Sequence, residues 1–246
     1  LIISKNFKNI INNQTFELDK KIQLIKDFEH NNIILVNGSF TSSDMKFEDK
    51  EKIKISKLES LKDFKFKIKS NLSSLNRAMS LGGFYLEIAE NYKCKKPIVI
   101  YNYFTSGLDN KIINNSNKIK LHQNSCLTLV EYNFCEKSKF FKNTFEELEI
   151  ERDAILKHIC IQKTKSNGFF YKNIFGSQAY NSSYQNFIIT SGLKFNKIDI
   201  EMDLEKENSN CHILSGLCLG SGEHQEIKTK INHMAPNCKS YQKIKN

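Results

Sequence analysis

The chain has 246 residues, 39% of them hydrophobic and 11% aromatic, and a formal net charge of +10. This suits a folded protein with one sizeable core or two small ones, and excludes a disordered chain. No window approaches the ~18 unbroken apolar residues of a membrane-spanning helix, and no basic-then-apolar export signal follows Leu1.

The positive charge invites a nucleic-acid reading, but the kind of base argues against it. Only Arg77 and Arg152 are arginines; every other cation is a lysine scattered among acids and asparagines. Base readout favours Arg forks and phosphate binding favours a clustered stripe. A solvated lysine-rich surface is the expectation. The seven cysteines (Cys94, Cys126, Cys135, Cys160, Cys211, Cys218 and Cys238) form no CxxC pair and are irregularly spaced. They read as reduced thiols of a cytoplasmic protein, several buried as small apolar groups.

Taken in chain order, Phe16, Leu18, Ile22, Ile25 and Phe28 fit one face of a helix. "NIILVNGSF" (32–40) reads as a strand closed by an Asn37-Gly38 turn. The lysine-rich stretches 46–57 and 62–69 read as exposed linkers or charged helix faces. A second helix is expected in "NLSSLNRAMSLGG" (71–83), with Asn71 as N-cap and Leu72, Leu75 and Met79 on one side.

Beyond about residue 95 strands dominate. "KPIVIYNYF" (96–104) is apolar and β-branched, with Pro97 at its start. "NKIKLHQNSCLTLVEYNF" (117–134) alternates on either side of a turn at His122–Ser125. "TFEELEIERDAILKH" (144–158) has a capping-box look, Thr144 then Glu147, yet its strand-rich setting favours two strands around an Arg152-Asp153 turn. Ile198, Ile200, Met202 and Leu204 alternate with Asp199, Glu201 and Asp203, a half-buried strand. "HILSGLCLG" (212–220) and "EIKTKINH" (226–233) are further strands. Centres near 200, 215 and 229 fit a sandwich, a barrel or a solenoid, and Ser, Gly and Asn at the turns favour stacked coils. The texture divides the chain into an α/β region, 1–95, and a β-rich region, 96–246.

The sharpest candidate for chemistry is the late group Cys211, His212, Cys218, His224, His233 and Cys238, whose thiolates and imidazoles suit zinc, copper(I) or iron–sulfur ligation. Its spacing lacks the paired ligands of structural zinc sites, so Cys211, His233 and Cys238 stand only as weak metal candidates. No GxSxG elbow or P-loop occurs, and Asp199, Glu201 and Asp203 read as a strand's solvent side. Phe169, Phe170, Tyr171, Phe175, Tyr180 and Tyr184 around Gly176 read as core and corner packing.

In order, "ILVNGSF", "LNRAMSLGGFYLEI", "KPIVIY" and "LTLVEYN" resemble the SufB/SufD scaffold family of iron–sulfur cluster assembly. The later stretch "LSGLCLGSGEHQEIKTKINHMAPNCKSYQ" is similar to that family's Gly-containing strand, Thr-x-x-x-His-x-x-Pro and Ser-x-Gln. The matching residues are Gly216, Thr229, His233, Pro236, Ser240 and Gln242. SufB-like chains carry Gly-Cys-Thr-Ala-Pro after the glutamate of the earlier strand pair. Here Glu131 is followed by Tyr-Asn-Phe-Cys, so the resemblance favours the SufD-like branch. Phe195 stands where an arginine is common, and the family's N-terminal tryptophan region is missing.

The resemblance implies a right-handed parallel β-helix (solenoid), preceded by the small α/β region. It implies a cytoplasmic scaffold that is not an enzyme, paired with a SufB-like subunit and a SufC-like ATPase. An iron–sulfur cluster would be held only transiently by the complex, with no cofactor bound stably by this chain. It also implies that the chain continues past Asn246, with the ATPase-docking and cluster-facing residues beyond it. The rivals are a β-helix carbohydrate-active enzyme and a stand-alone metal-binding solenoid.

Overall fold

The computed structural model of the chain describes residues 24–62, 64–65, 70–80, 82–135 and 139–246, together with a two-residue strand, Lys8–Asn9 (β1). Asn31–Val36 (β2) and Ser39–Asp44 (β3) form an antiparallel hairpin. Asn37 (φ 50) and Gly38 (φ 82) turn it, both left-handed as a two-residue hairpin loop requires. Ile53–Lys57 (β4), one helix Asn71–Met79 (α1) and Phe84–Ile88 (β5) follow. Then come Ile98–Phe104 (β6), Lys111–Leu121 (β7), Cys126–Cys135 (β8) and Phe141–Ile150 (β9). The chain goes on through Ile155–Gln178 (β10), Ser183–Leu204 (β11), Asn210–Cys218 (β12), His224–His233 (β13) and Lys239–Lys245 (β14).

From β6 onward the strands wind into a solenoid of about five turns. One wall stacks β6, β8, the first half of β10, the first half of β11, β12 and β14, all parallel. The other stacks β7, β9, the second halves of β10 and β11, and β13, again all parallel. In the first wall Cys126, Ile155, Ser183, Asn210 and Lys239 stand in one column, so a coil takes 27 to 29 residues. Two strands per coil account for the half-coil interval between strand centres in the sequence. Asn167-Gly168, a dipeptide that often closes hairpins, lies inside β10, where the register shifts and the chain carries on without reversing.

One corner repeats in every coil. Asn124, Asp153, Asn181, Asn208 and Asn237 all have φ between 54 and 61, the left-handed region that Asn and Asp tolerate best after Gly. Each N–H of the first four donates to a carbonyl one coil on: Arg152, Tyr180, Glu207 and Pro236 respectively. The next residue closes the corner, with the hydroxyls of Ser125, Ser182 and Ser209 donating to the carbonyls of His122, Ala179 and Lys206 at 2.6, 2.8 and 3.0 Å.

Strands on both sides of residue 95 share this architecture. β2 runs parallel to β6 and β5 parallel to β7, so they extend the two walls. Ile33, Leu35, Met45, Ile53 and Phe84 belong to the same core as Leu127, Leu148, Ile174 and Met202. The stretch 46–57 is therefore not a linker. Its Ile53 is buried in a strand, and its Glu48 accepts hydrogen bonds from Asn31 Nδ2, Tyr92 Oη and the N–H groups of Lys95 and Lys96.

α1 differs from its sequence reading in two respects. Ser70, not Asn71, caps it, its Oγ accepting from Ser73 N at 3.1 Å. Its buried residues are polar, Ser73 and Asn76, while Leu72, Leu75 and Met79 are only half-buried. The reason is the surface beneath, a run of Asn, Ser and Thr side chains on β7 and β9. Asn76 Nδ2 donates to the carbonyls of Asn115 (3.0 Å) and Asn143 (2.7 Å), and its Oδ1 accepts from Ser116 Oγ (2.8 Å). Gly83 (φ +116) lets the next turn press on β7; a Cβ there would lie 1.8 Å from the Ser116 carbonyl. Of the proposed earlier helical face, residues 16–23 lie outside the described residues. Ile25 and Phe28 sit in irregular chain, and Ile25 N donates to Tyr101 Oη.

Candidate functional site

Alternation in the parallel walls sends every second side chain inward. Toward the Asn corner the inward residues are apolar: Leu127, Leu129, Leu148, Ile150, Leu156 and Ile174, all buried. Two residues further along the same strands they become charged. Glu131 (β8), Glu146 (β9), His158 (β10) and Lys172 (β10) meet in the interior with Cys160 and Lys142, and all six are buried or nearly so.

Lys172 Nζ lies between the two carboxylates, in close contact with Glu131 Oε1 and 3.1 Å from Glu146 Oε2. His158 Nε2 is 2.7 Å from Glu131 Oε1 and 3.4 Å from Cys160 Sγ. Its other nitrogen, Nδ1, lies 3.2 Å from Tyr184 Oη and 3.7 Å from Glu146 Oε1. Lys142 donates to Asn133 Oδ1 at 3.1 Å and sits 5.1 and 5.3 Å from the ring centres of Phe104 and Phe170.

The electrostatics follow from burial set against pairing. Burial opposes the imidazolium of His158, but Cys160 and Glu146, with hydrogen bonds to Cys160 and Glu131, outweigh it and carry the group up to about 10. Burial likewise opposes the Lys172 ammonium, and Glu131 and Glu146 overcome it, so Lys172 is raised. Glu131 is held well below the usual range because Lys172 and His158 outweigh its burial. Burial dominates elsewhere: Glu146 is raised, and Lys142 is pushed down to about 8 despite its attraction to Glu131.

A family model described as SUF system FeS cluster assembly, SufBD core domain, matches residues 103–246. The chain belongs to the SufB/SufD family. The match takes in the end of β6 and all of β7 to β14, and gives the protein a role in iron–sulfur cluster assembly by the SUF system. Comparison with curated proteins gives no match.

Four of the residues that resemble the family's motif lie on the last two strands. Thr229 and His233 on β13 pair with Ile200 and Leu204, and Ser240 and Gln242 on β14 with Cys211 and Ile213, so all four take inward-facing positions. They meet in solvent-exposed positions on the last coil: Thr229 Oγ1 with Gln242 Oε1, and His233 Nε2 with Ser240 Oγ at 2.9 Å. Gly216 pairs with Ile189 and Lys245, and Pro236 accepts the corner bond from Asn208 N.

The late cysteines and histidines are not brought together as a metal centre. Cys211 is fully buried in the core, where burial pushes its thiol up to about 12 and disfavours the ligating thiolate. His212 lies against Tyr241, His224 stacks on Phe195, and Cys218 is exposed. Cys238 takes the corner position held by Ser125, Ser182 and Ser209 in earlier coils, with Sγ 3.2 Å from Ser209 Oγ. Among the described residues, the metal-ligand type atoms that do converge are those of Glu131, His158 and Cys160, all within 4.8 Å of one another.

The sequence reading chose no inward face for β8 or β10 and so did not bring this group together. In β8 the apolar series Val130, Tyr132, Phe134 and in β10 Ile159, Ile161 point outward as a second apolar layer. The available signal was that β8 carries apolar residues at both parities, Leu127 and Leu129 beside Val130, Tyr132 and Phe134, which marks a strand covered on each side.

Proposed function

We propose that the protein is a SufD-like scaffold subunit of the SUF assembly complex, pairing with a SufB-like subunit and working with a SufC-like ATPase in the cytoplasm. It catalyses no reaction itself; the iron–sulfur cluster is cargo of the complex. The observation that carries the reading is the run on β8. After Glu131 it presents Tyr132, Asn133, Phe134 and Cys135 in place of the Gly-Cys-Thr-Ala-Pro of SufB-like chains. Its one thiol there, Cys135, is pushed up to about 12 by burial, which suits a packed side chain better than a nucleophile. A stack of parallel coils supports a scaffold role, because it offers a stiff flank to a partner.

Co-expression of the tagged full chain with SufB and SufC homologues tests this. A stable complex containing all three is expected. A chain that stays alone while SufB and SufC pair with each other would overturn it.

A further inference from the structure

We propose that Glu131, His158 and Cys160 form a site for a divalent transition-metal ion of the zinc type inside the solenoid. The residues come from adjacent strands of one rigid wall. Glu131 and Cys160 are register partners between β8 and β10, and His158 is the previous inward residue of β10. Their donors already surround one point, with His158 Nε2 2.7 Å from Glu131 Oε1 and 3.4 Å from Cys160 Sγ. Tetrahedral zinc, with bonds of about 2.0–2.3 Å, spaces its ligands roughly 3.3–3.6 Å apart. The nitrogen–sulfur pair fits as it stands, and Glu131 need withdraw by only about half an ångström.

Three further features fit a metal. The distal nitrogen Nδ1 is oriented by Tyr184 Oη at 3.2 Å, as ligating imidazoles are by a partner behind them. A cavity of about 40 Å³ opens beside Glu131 and Cys160, room for one metal-bound water as fourth ligand. Lining it are Gln162, 5% exposed, and Thr190, 1% exposed. Neither the Gln162 amide nor the Thr190 hydroxyl has a hydrogen-bond partner among the described residues, and both could bond that water.

One imidazole nitrogen, one thiolate and one carboxylate select a borderline ion over magnesium or calcium. A metal takes the unprotonated Nε2 of His158 and the thiolate of Cys160, so loading is coupled to proton release. Lys172 then leaves Glu131 and remains on Glu146, 3.1 Å away.

The test is Co²⁺ titration of the reduced full chain under argon, followed by Zn²⁺ competition. Expected are one equivalent bound, tetrahedral d–d bands, and a thiolate-to-cobalt charge-transfer band that Zn²⁺ abolishes. Cys160→Ser should remove the charge-transfer band and His158→Gln weaken binding at least tenfold, each with wild-type circular dichroism. Cys211→Ser and Cys238→Ser should leave both unchanged. A folded wild-type chain without the band, or a band that survives Cys160→Ser, overturns the proposal. Should the Cys160 or His158 variants misfold, zinc-edge X-ray absorption of the wild type decides: one sulfur at about 2.3 Å supports the site, and none or several overturns it. No partner protein enters these measurements, so their failure leaves the scaffold reading standing.

Discussion

The solenoid interior contains two neighbouring regions built by the same strands under opposite rules. Leu129 and Glu131, Leu148 and Glu146, Leu156 and His158, Ile174 and Lys172 are pairs two residues apart, every member inward and all but the half-buried Lys172 buried. The leucine side is stabilised by area removed from water and needs only shape. On the charged side each group costs several kcal/mol to desolvate, about as much as its partners return, so its members stand or fall together. A single change on the apolar side costs its own packing alone, whereas one on the charged side also leaves its partners unpaired.

The sharpest way to break this contrast is to remove one cation. Lys172→Met leaves Glu131 and Glu146 facing each other and should cost about 3–5 kcal/mol in urea unfolding. Leu129→Ala, on the apolar side, should cost about 3 kcal/mol. The double variant Glu131→Gln/Lys172→Met should lose at least about 1 kcal/mol less than the sum of its singles. Strict additivity would show that the two regions follow one rule.

A smaller, pH-dependent effect is expected at His158, faced by Glu131, Glu146, Cys160 and Tyr184 with Lys172 and Lys142 beyond. Its folded value, about 10, lies above the unfolded ~6.5. Its stabilisation is therefore complete below about pH 6.5 and is lost as pH rises toward about 10. With a chelator present, His158→Gln should be least stable relative to wild type near pH 6, the gap closing on the alkaline side. Lys142, pushed the other way to about 8, is common to both proteins and drops out of the difference. A gap independent of pH would contradict the assignment.

The smallest effect concerns the corner outside both regions. Asn181 holds φ 54 and donates from Nδ2 to Asp153 Oδ1 at 2.7 Å. Asn181→Ala should cost about 1–2 kcal/mol by thermal unfolding, and Asn181→Gly, which keeps the backbone freedom, should cost less.

Much of the fold was legible from local pattern. The Asn37-Gly38 hairpin, the turn at His122–Ser125 and the strands on either side of Asp153 all follow from short-range chemistry. The Thr144–Glu147 pair imitates a helix start, but Glu146 and Leu148 are inward residues of a parallel strand, so tertiary pairing overrode propensity. Cys238 shows the limit from the other side. Beside His233 it suggested a ligand, and only the stacking of coils revealed it as the fifth member of a corner that also holds Ser125, Ala154, Ser182 and Ser209.

By itself, then, the sequence determined where the chain extends and where it turns, because both depend on residues a few positions apart. It also carried the resemblance to the SufB/SufD family, which the match over residues 103–246 bears out. Which parity of each strand faces the interior was decided only by tertiary structure, since β8 carries apolar residues at both, Leu127 and Leu129 at one and Val130, Tyr132 and Phe134 at the other. That choice gathered Glu131, Glu146, His158, Cys160 and Lys172 from three strands into one chamber. Their protonation depends on distances across coils of about 28 residues, which no local pattern contains.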